Sequence, residues 1–282
     1  MTAGAPGYSS RATLPFSVEV VRQLRRRRTI VAFAIVAALP WILVGAFKLG
    51  GQSQPGAGAP GLVDFATLGG LNFAAFSLFA SAGFLLVVAV ALFCGDTLST
   101  EASWSSLRYL LAAPVPRARL LRQKLAVALA YSTAAVVSLP VMSLLAGTVA
   151  FGWHPLRLPS TGVQLTASAA LGRLGIALGY VLITELAVAA LAFLLSSFTD
   201  SPLGAVGGAV GLMIVSTILD SVTALGNWRQ ILPSHWQFSW LAMLAPQISW
   251  TSMIEGASVS VSYAVILLAL TFRRFRAKDI VS

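Results

Sequence analysis

Apolar residues in this chain are gathered into long uncharged runs, and most of the charge is gathered into the short stretches between them. A bilayer core about 30 Å thick needs about 20 residues of helix, and unpaired backbone groups are too costly in lipid for irregular chain to cross it. Six runs meet that requirement: Ile30 to Phe47, Leu68 to Cys94, part of Leu125 to Trp153, Leu174 to Phe198, Pro202 to Leu219, and Ser252 to Phe272. Pro40 and Pro140 are the clear mid-run interruptions. The pattern predicts an all-α integral membrane protein of six transmembrane helices, forming one transmembrane domain over residues 1–282.

The uncharged stretch Gln230 to Ile254 is not counted as a seventh span. Pro233 and Pro246 break it, and His235, Gln237, Gln247, Trp236, Trp240 and Trp250 give it the polar and aromatic mixture of a segment at a membrane surface. Residues 226–251 are therefore assigned as an outer interfacial segment. Gly50 to Gly61 is rich in Gly, Pro, Ser and Gln and reads as a flexible outer tether. Thr199-Asp200-Ser201-Pro202 is a short inner turn, with Pro202 suited to the first turn of a helix.

Composition agrees with a membrane location. The 282 residues are 57% hydrophobic and only 10% charged, against about a quarter charged in soluble domains, and the mean hydropathy is +0.84. The formal charge of +10 does not point to nucleic acid, because the basic residues flank apolar runs and form no patch with interleaved aromatics. Fifteen of the nineteen fall on one side: Arg11, Arg22, Arg25, Arg26, Arg27 and Arg28 before the first run, Arg108, Arg117, Arg119, Arg122 and Lys124 after the second, and Arg273, Arg274, Arg276 and Lys278 after the last. Lys48, Arg157, Arg173 and Arg229 fall on the other. Lys and Arg near span ends are retained in the cytoplasm, so both termini are expected there, with the chain multi-pass in the plasma (inner) membrane. Residues 1–28 form the cytoplasmic N-terminus and 273–282 the cytoplasmic tail. Arg25 to Arg28 followed by an apolar run imitates a secretory signal, with Val44-Gly45-Ala46 as a cleavage site. However, the first run is longer than the roughly 7–15 residues of a signal core, and further spans follow it.

The polar and basic interruption at residues 95–124 is the most informative stretch. Within it Ser99 to Ala112 reads as an amphipathic helix: Trp104, Leu107 and Leu111 share one face at spacings of three and four, and Glu101, Ser105, Arg108 and Ala112 share another. Asp96 and Glu101 sit near its expected start, where the helix dipole favours negative charge, and Pro114 ends it. On pattern alone the helix is either an interfacial anchor or a docking element for a cytoplasmic partner.

This loop resembles that of the permease subunits of ABC-2 type ABC transporters. Their second inner segment carries an acidic residue, a helix rich in small residues and Leu, then Leu-Leu, Pro-Val-x-Arg and a basic residue opening the third span. The matching residues here are Glu101, Leu107, Leu110, Leu111, Pro114, Val115, Arg117, Leu120, Leu121 and Lys124, with a departure at Ser105, where Gly is commoner. The resemblance extends to Phe16–Arg28, similar to the family's surface-lying elbow helix, and to the tail Arg273–Ile280. It implies a cytoplasmic coupling helix between spans two and three, seated in a groove of a separate cytoplasmic ABC ATPase subunit through Glu101, Trp104, Ser105, Leu107, Arg108, Leu111, Pro114 and Arg117. It also implies a second permease protomer, in a homodimer or heterodimer, and ATP with Mg bound by the partner ATPase.

The chain has no G-x-x-x-x-G-K-[ST] sequence of its own; Gly204, Gly207, Gly208 and Gly211 lie in an apolar run without the Lys. No cofactor is therefore expected on this chain, which is read as a transport subunit and not an enzyme. The spacings Gly204/Gly208, Gly207/Gly211 and Gly175/Gly179 suit close helix packing in lipid. Glu185 lies mid-span, where a carboxylate costs about 3 kcal/mol on insertion scales, so it should face a cavity or partner. It is the candidate for the substrate path. Asp220 and Glu255 lie near outer span ends. His154 and His235 are isolated in outer segments, and with the single Cys94 they make neither a metal site nor a disulfide. No catalytic constellation stands out. The expected function is ATP-driven export of an amphipathic or hydrophobic substrate (a drug, lipid or lipid-linked molecule). The alternative is an ion-gradient-driven secondary transporter using Glu185.

Overall fold

The computed structural model describes residues 16–50, 62–103 and 117–277. Its helices are α1 (Phe16–Leu24), α2 (Arg27–Leu49), α3 (Leu62–Ala66), α4 (Gly70–Ala82), α5 (Leu85–Ser103), α6 (Arg117–Phe151), α7 (Ala167–Phe198), α8 (Pro202–Ser221) and α9 (Thr251–Ala277). A two-residue antiparallel pair, β1 (Leu156–Arg157) and β2 (Gln164–Leu165), links α6 to α7. Three 3-10 turns, Thr223–Ile231, Pro233–Trp236 and Ser239–Leu244, link α8 to α9. This is a helical, multi-pass membrane architecture. Five helices (α2, α6, α7, α8, α9) are long and apolar enough to cross a bilayer, or six when α4 and α5 are taken as one bent span.

All six apolar runs are helical, and the interfacial segment is built of short 3-10 turns, as its prolines and mixed polarity require. Pro40 and Pro140 lie inside continuous helices. The interruption falls elsewhere: the second run, expected as one span, bends by 57° between Ala82 and Leu85. The bend lets α4 pack on the far half of α6 while α5 packs on α7 and α8 as well as on the near half of α6. Of the five helices that are each long enough to cross alone, α7 is the most enclosed. Its buried Ala170, Ala177, Ala189 and Ala192 permit close approach by its neighbours, which is how helices associate where lipid removes the hydrophobic drive.

Residues Ser99–Ser103 continue α5 and do not open a separate helix, which corrects the expected start of the coupling helix. Asp96 is likewise inside α5, not at a helix N-terminus. Helix α8 begins as its sequence suggests: Ser201 accepts a hydrogen bond from the Gly204 amide (3.2 Å), and Pro202 occupies the first turn.

The bundle has two distinguishable ends. At one, here called the basic end, lie α1, the starts of α2 and α6, and the ends of α5, α7 and α9. Gly95 adjoins Val206, early in α8, and Arg274 stacks over the Phe198 ring at 3.7 Å. At the other, the hairpin end, the β-pair, α3, the start of α4 and the 3-10 turns come together. The Asn72 side chain donates to the Arg157 carbonyl (2.9 Å) and accepts from its amide (3.0 Å), so α4 holds the edge of β1 as another strand would. The reversal between the strands uses Gly162 at φ +70°, a conformation that suits glycine.

Candidate functional site

At the basic end, two carboxylates gather the cations. Asp96 on α5 pairs with Arg26 (3.2 Å) and with Arg28, at the start of α2. Glu19 on α1 pairs with Arg22 (3.4 Å) and with Lys124 on α6 (3.4 Å). Glu19, Asp96 and Lys124 are buried, and the Tyr131 hydroxyl donates to the Val20 carbonyl (2.7 Å) to complete the attachment of α1. Helix α1 is amphipathic in an inverted sense. Glu19 and Gln23 face the protein, while Phe16, Val18, Val21 and Leu24 are exposed. A helix that turns its apolar side outward suits a membrane interface.

Of the residues assigned to ATPase coupling, Glu101 lies in the last turn of α5 and Arg117 is the first residue of α6. Trp104, Ser105, Leu107, Arg108, Leu111 and Pro114 lie outside the described residues. Sequence reasoning missed the pairing of Asp96. The available signal was that Asp96 follows an apolar run at the membrane end where Arg26 and Arg28 precede one.

Glu185 lies in α7, buried to 5% exposure, and its Oε2 has no hydrogen-bond partner among the described residues. Cys94 on α5 lies within electrostatic reach, and the Cys94 thiol meets the Ser132 hydroxyl at 3.6 Å. Ser260 on α9 is another buried polar group whose hydroxyl is unsatisfied among the described residues. Two buried oxygens without partners are costly, at about 1–3 kcal/mol each for neutral groups, so this stretch of α7 and α9 is under-satisfied.

The hairpin end holds a cluster that the sequence reading took apart. His235 is not isolated: its Nδ1 lies 2.6 Å from Asp220 Oδ1, and Arg229 Nε donates to the same oxygen at 3.3 Å. His154 instead packs its ring and Cβ against Gly152 and Gly69. Beside the Asp220 cluster, the Ser216 and Ser234 hydroxyls are hydrogen-bonded at 2.7 Å. An apolar recess of about 270 Å³ runs inward between α7, α8 and α9. Among the described residues no group of three or more His, Cys, Asp or Glu is placed to hold a metal.

The glycines divide differently from expectation. A Cβ on Gly175, Gly179, Gly207 or Gly211 would meet nothing within 4 Å, so these four pack against no described part of this chain. Gly204 is in ordinary contact with its own cap, and only Gly208 is close to a neighbouring helix, at Leu195 (3.2 Å). Between helices and turns the tight positions include Gly70 against Thr148, Gly147 against Phe73, and Gly256 against Tyr180 and Trp236, beside Gly69 and Gly152 against His154.

No curated protein matches the chain. Residues 61–281 match the family described as "Protein of unknown function (DUF2705)", a stretch that takes in every apolar run but the first, and the chain belongs to that family.

Proposed function

We propose that this chain is the permease subunit of an ATP-driven, ABC-2-like exporter, working as a pair of protomers with a separate cytoplasmic ABC ATPase that binds ATP and Mg. The observation that carries the reading is the way the loop with the ABC-2-like residues is mounted. Helix α5 extends past Asp96 to Ser103, α6 begins at Arg117, and Asp96 and Lys124 join both helices to α1 and α2. A push on residues 99–117 is thereby delivered to α1, α2, α5 and α6 together through rigid helix. Helix α6 has 35 residues and is about 50 Å long, longer than a bilayer core of about 30 Å, so it can project to meet a partner.

In this mechanism closure of the ATPase pair tilts the first three spans against α7, α8 and α9 and switches access at the protomer interface. The basic end is then cytoplasmic, in keeping with the retention of Lys and Arg on that side, and α1 is the elbow helix in the inner leaflet surface. The cargo is amphipathic or hydrophobic, because the spans offer few charges to a polar solute. The test is to purify the tagged chain in mild detergent and identify any ATP-hydrolysing polypeptide that accompanies it. The double substitution Glu101→Lys with Arg108→Glu should leave insertion intact and abolish permease-stimulated ATP hydrolysis. Unchanged stimulation, or labelling that puts Trp104 outside the cell, would overturn the reading.

A second reading is favoured by two specific observations. Secondary transporters bind coupling ions at helices broken within the membrane, and this chain has a 57° break in its second apolar run as well as an unsatisfied oxygen on Glu185. Uptake by liposomes containing only this chain, driven by a proton gradient and lost in Glu185→Gln, would replace the first reading with this one.

A further inference from the structure

The recess between α7, α8 and α9 is lined by Leu191, Leu212, Leu219, Tyr263 and Leu267, with Leu232 and Pro233, at the junction of the first two 3-10 turns, at its hairpin-end mouth. At about 270 Å³ it is near the lower bound of ligand pockets, which run from about 300 to 1,000 Å³, and it accepts one slender apolar group. Its lining hydroxyl Ser216 is occupied by Ser234. The recess is open on the flank of the bundle, where Leu212, Val215 and Ile218 of α8 are exposed. A ligand therefore enters from the side, out of lipid.

The Asp220–His235–Arg229 cluster stands at the mouth. Asp220 follows Leu219, and the Leu232 amide bonds to the Arg229 carbonyl (3.0 Å), so cation and recess are physically continuous. Arg229 spends only its Nε on Asp220, and its terminal nitrogens have no partner among the described residues. These two nitrogens form the fork that binds phosphate in bidentate fashion. Trp228 and Trp250, exposed at 73% and 48%, mark the depth at which aromatic side chains meet lipid headgroups. The cation is thus at headgroup depth and the apolar recess lies on the acyl side of it.

We propose that this is a phospholipid site, with the phosphate held by Arg229 and one acyl chain lying along α8 in the recess. It depends on the chain crossing a membrane and not on what drives transport. The full-length protein, delipidated in detergent, is titrated with phosphatidylglycerol and the bound lipid counted by native mass spectrometry. One saturable lipid is expected on the wild type. Arg229→Gln should weaken it about tenfold, the loss of one charge-assisted pair. Leu212→Trp, a substitution at the exposed rim that fills the recess, should remove it while leaving the melting temperature unchanged. Equal binding by all three proteins would overturn the site. Displacement of the lipid by glycerol phosphate alone would also overturn it, since a headgroup without a chain would then suffice.

Discussion

At the hairpin end, α4 and α6 approach until a methyl group on Gly70 or Gly147 would strike Thr148 or Phe73, and backbone atoms bond directly, as Gly70 N does to Gly152 O at 2.9 Å. At the basic end, α1, α2, α5 and α6 meet around Phe33, Phe93 and Tyr131 and are joined in addition by ion pairs of Asp96 with Arg26 and Arg28 and of Glu19 with Lys124. Close packing has one optimum and loses its energy within a fraction of an ångström. Ion pairs fall off slowly with distance, and an arginine fork can keep one oxygen while releasing another. The difference suggests a division of labour. One end holds its geometry and the other can be displaced without breaking all of its attachments, which is the property an end that receives force needs.

The largest effect that tests this contrast is expected at Gly256. A side chain there would overlap the Tyr180 hydroxyl and come within 2.5 Å of Trp236 Cβ, and it would cost the bond from Tyr180 to the Trp236 carbonyl (2.7 Å). Gly256→Leu should destabilise by about 3 kcal/mol or more, read as a fall of many degrees in the thermal midpoint in detergent. Tyr180→Phe, which loses the hydrogen bond alone, should cost about 1 kcal/mol. A midpoint unchanged in Gly256→Leu would mean that the hairpin end is not rigidly packed.

Next in size is Asp96→Ala, which removes the acceptor shared by Arg26 and Arg28 from a buried position and should cost about 3 kcal/mol. The two variants should part company in salt. Arg28 is half-exposed and its attraction is screened, so raising ionic strength should draw the wild type toward Asp96→Ala. It should not alter the gap between the wild type and Gly256→Leu. Trypsin cleavage at Arg25 to Arg28 should speed up in Asp96→Ala alone.

Most of the bundle could be read in the sequence because the signal for a span is long and cumulative: all six apolar runs are helical, and Pro233 and Pro246 did mark a segment that forms short 3-10 turns and no long helix. The break in the second run could not be read, because Ala82-Gly83-Phe84 is as apolar as its surroundings. It is caused by packing, with Gln237, 155 residues away, donating to the Ala82 carbonyl at 2.6 Å. Pro40 and Pro140 carried the stronger local signal, yet their helices continue. Pairing failed for a similar reason. His235 and Asp220 meet because the first two 3-10 turns fold back over the end of α8. The glycine spacings suit close helix packing, yet within the described fold only Gly208 among them meets a neighbouring helix.

A smaller effect tests the break itself. Gln237→Ala leaves the Ala82 carbonyl without its side-chain donor and should cost about 1–2 kcal/mol. If the span is bent because the 3-10 turns hold it so, hydrogen exchange at Phe84 to Val88 should accelerate in this variant and remain unchanged in Asp96→Ala. The reverse pattern would attribute the bend to the basic end.

The smallest effect on the isolated chain is expected on α8. Gly207 and Gly211 meet nothing within 4 Å, so Gly207→Leu with Gly211→Leu removes no contact within the described fold. Leucine also favours helix over glycine by up to about 1 kcal/mol per site. The thermal midpoint should stay level or rise slightly, in direct contrast to Gly256→Leu, although all three substitutions add the same side chain to a glycine in a helix. The oligomeric state adds a second readout, measured by light scattering in the same detergent. If the outward face of α8 meets only lipid, the mass of the particle is the same in wild type and variant. If the wild type is a dimer and the variant a monomer, the two glycines pack closely against a second copy. The division between a packed end and a displaceable end would then have to be redrawn around the pair of chains.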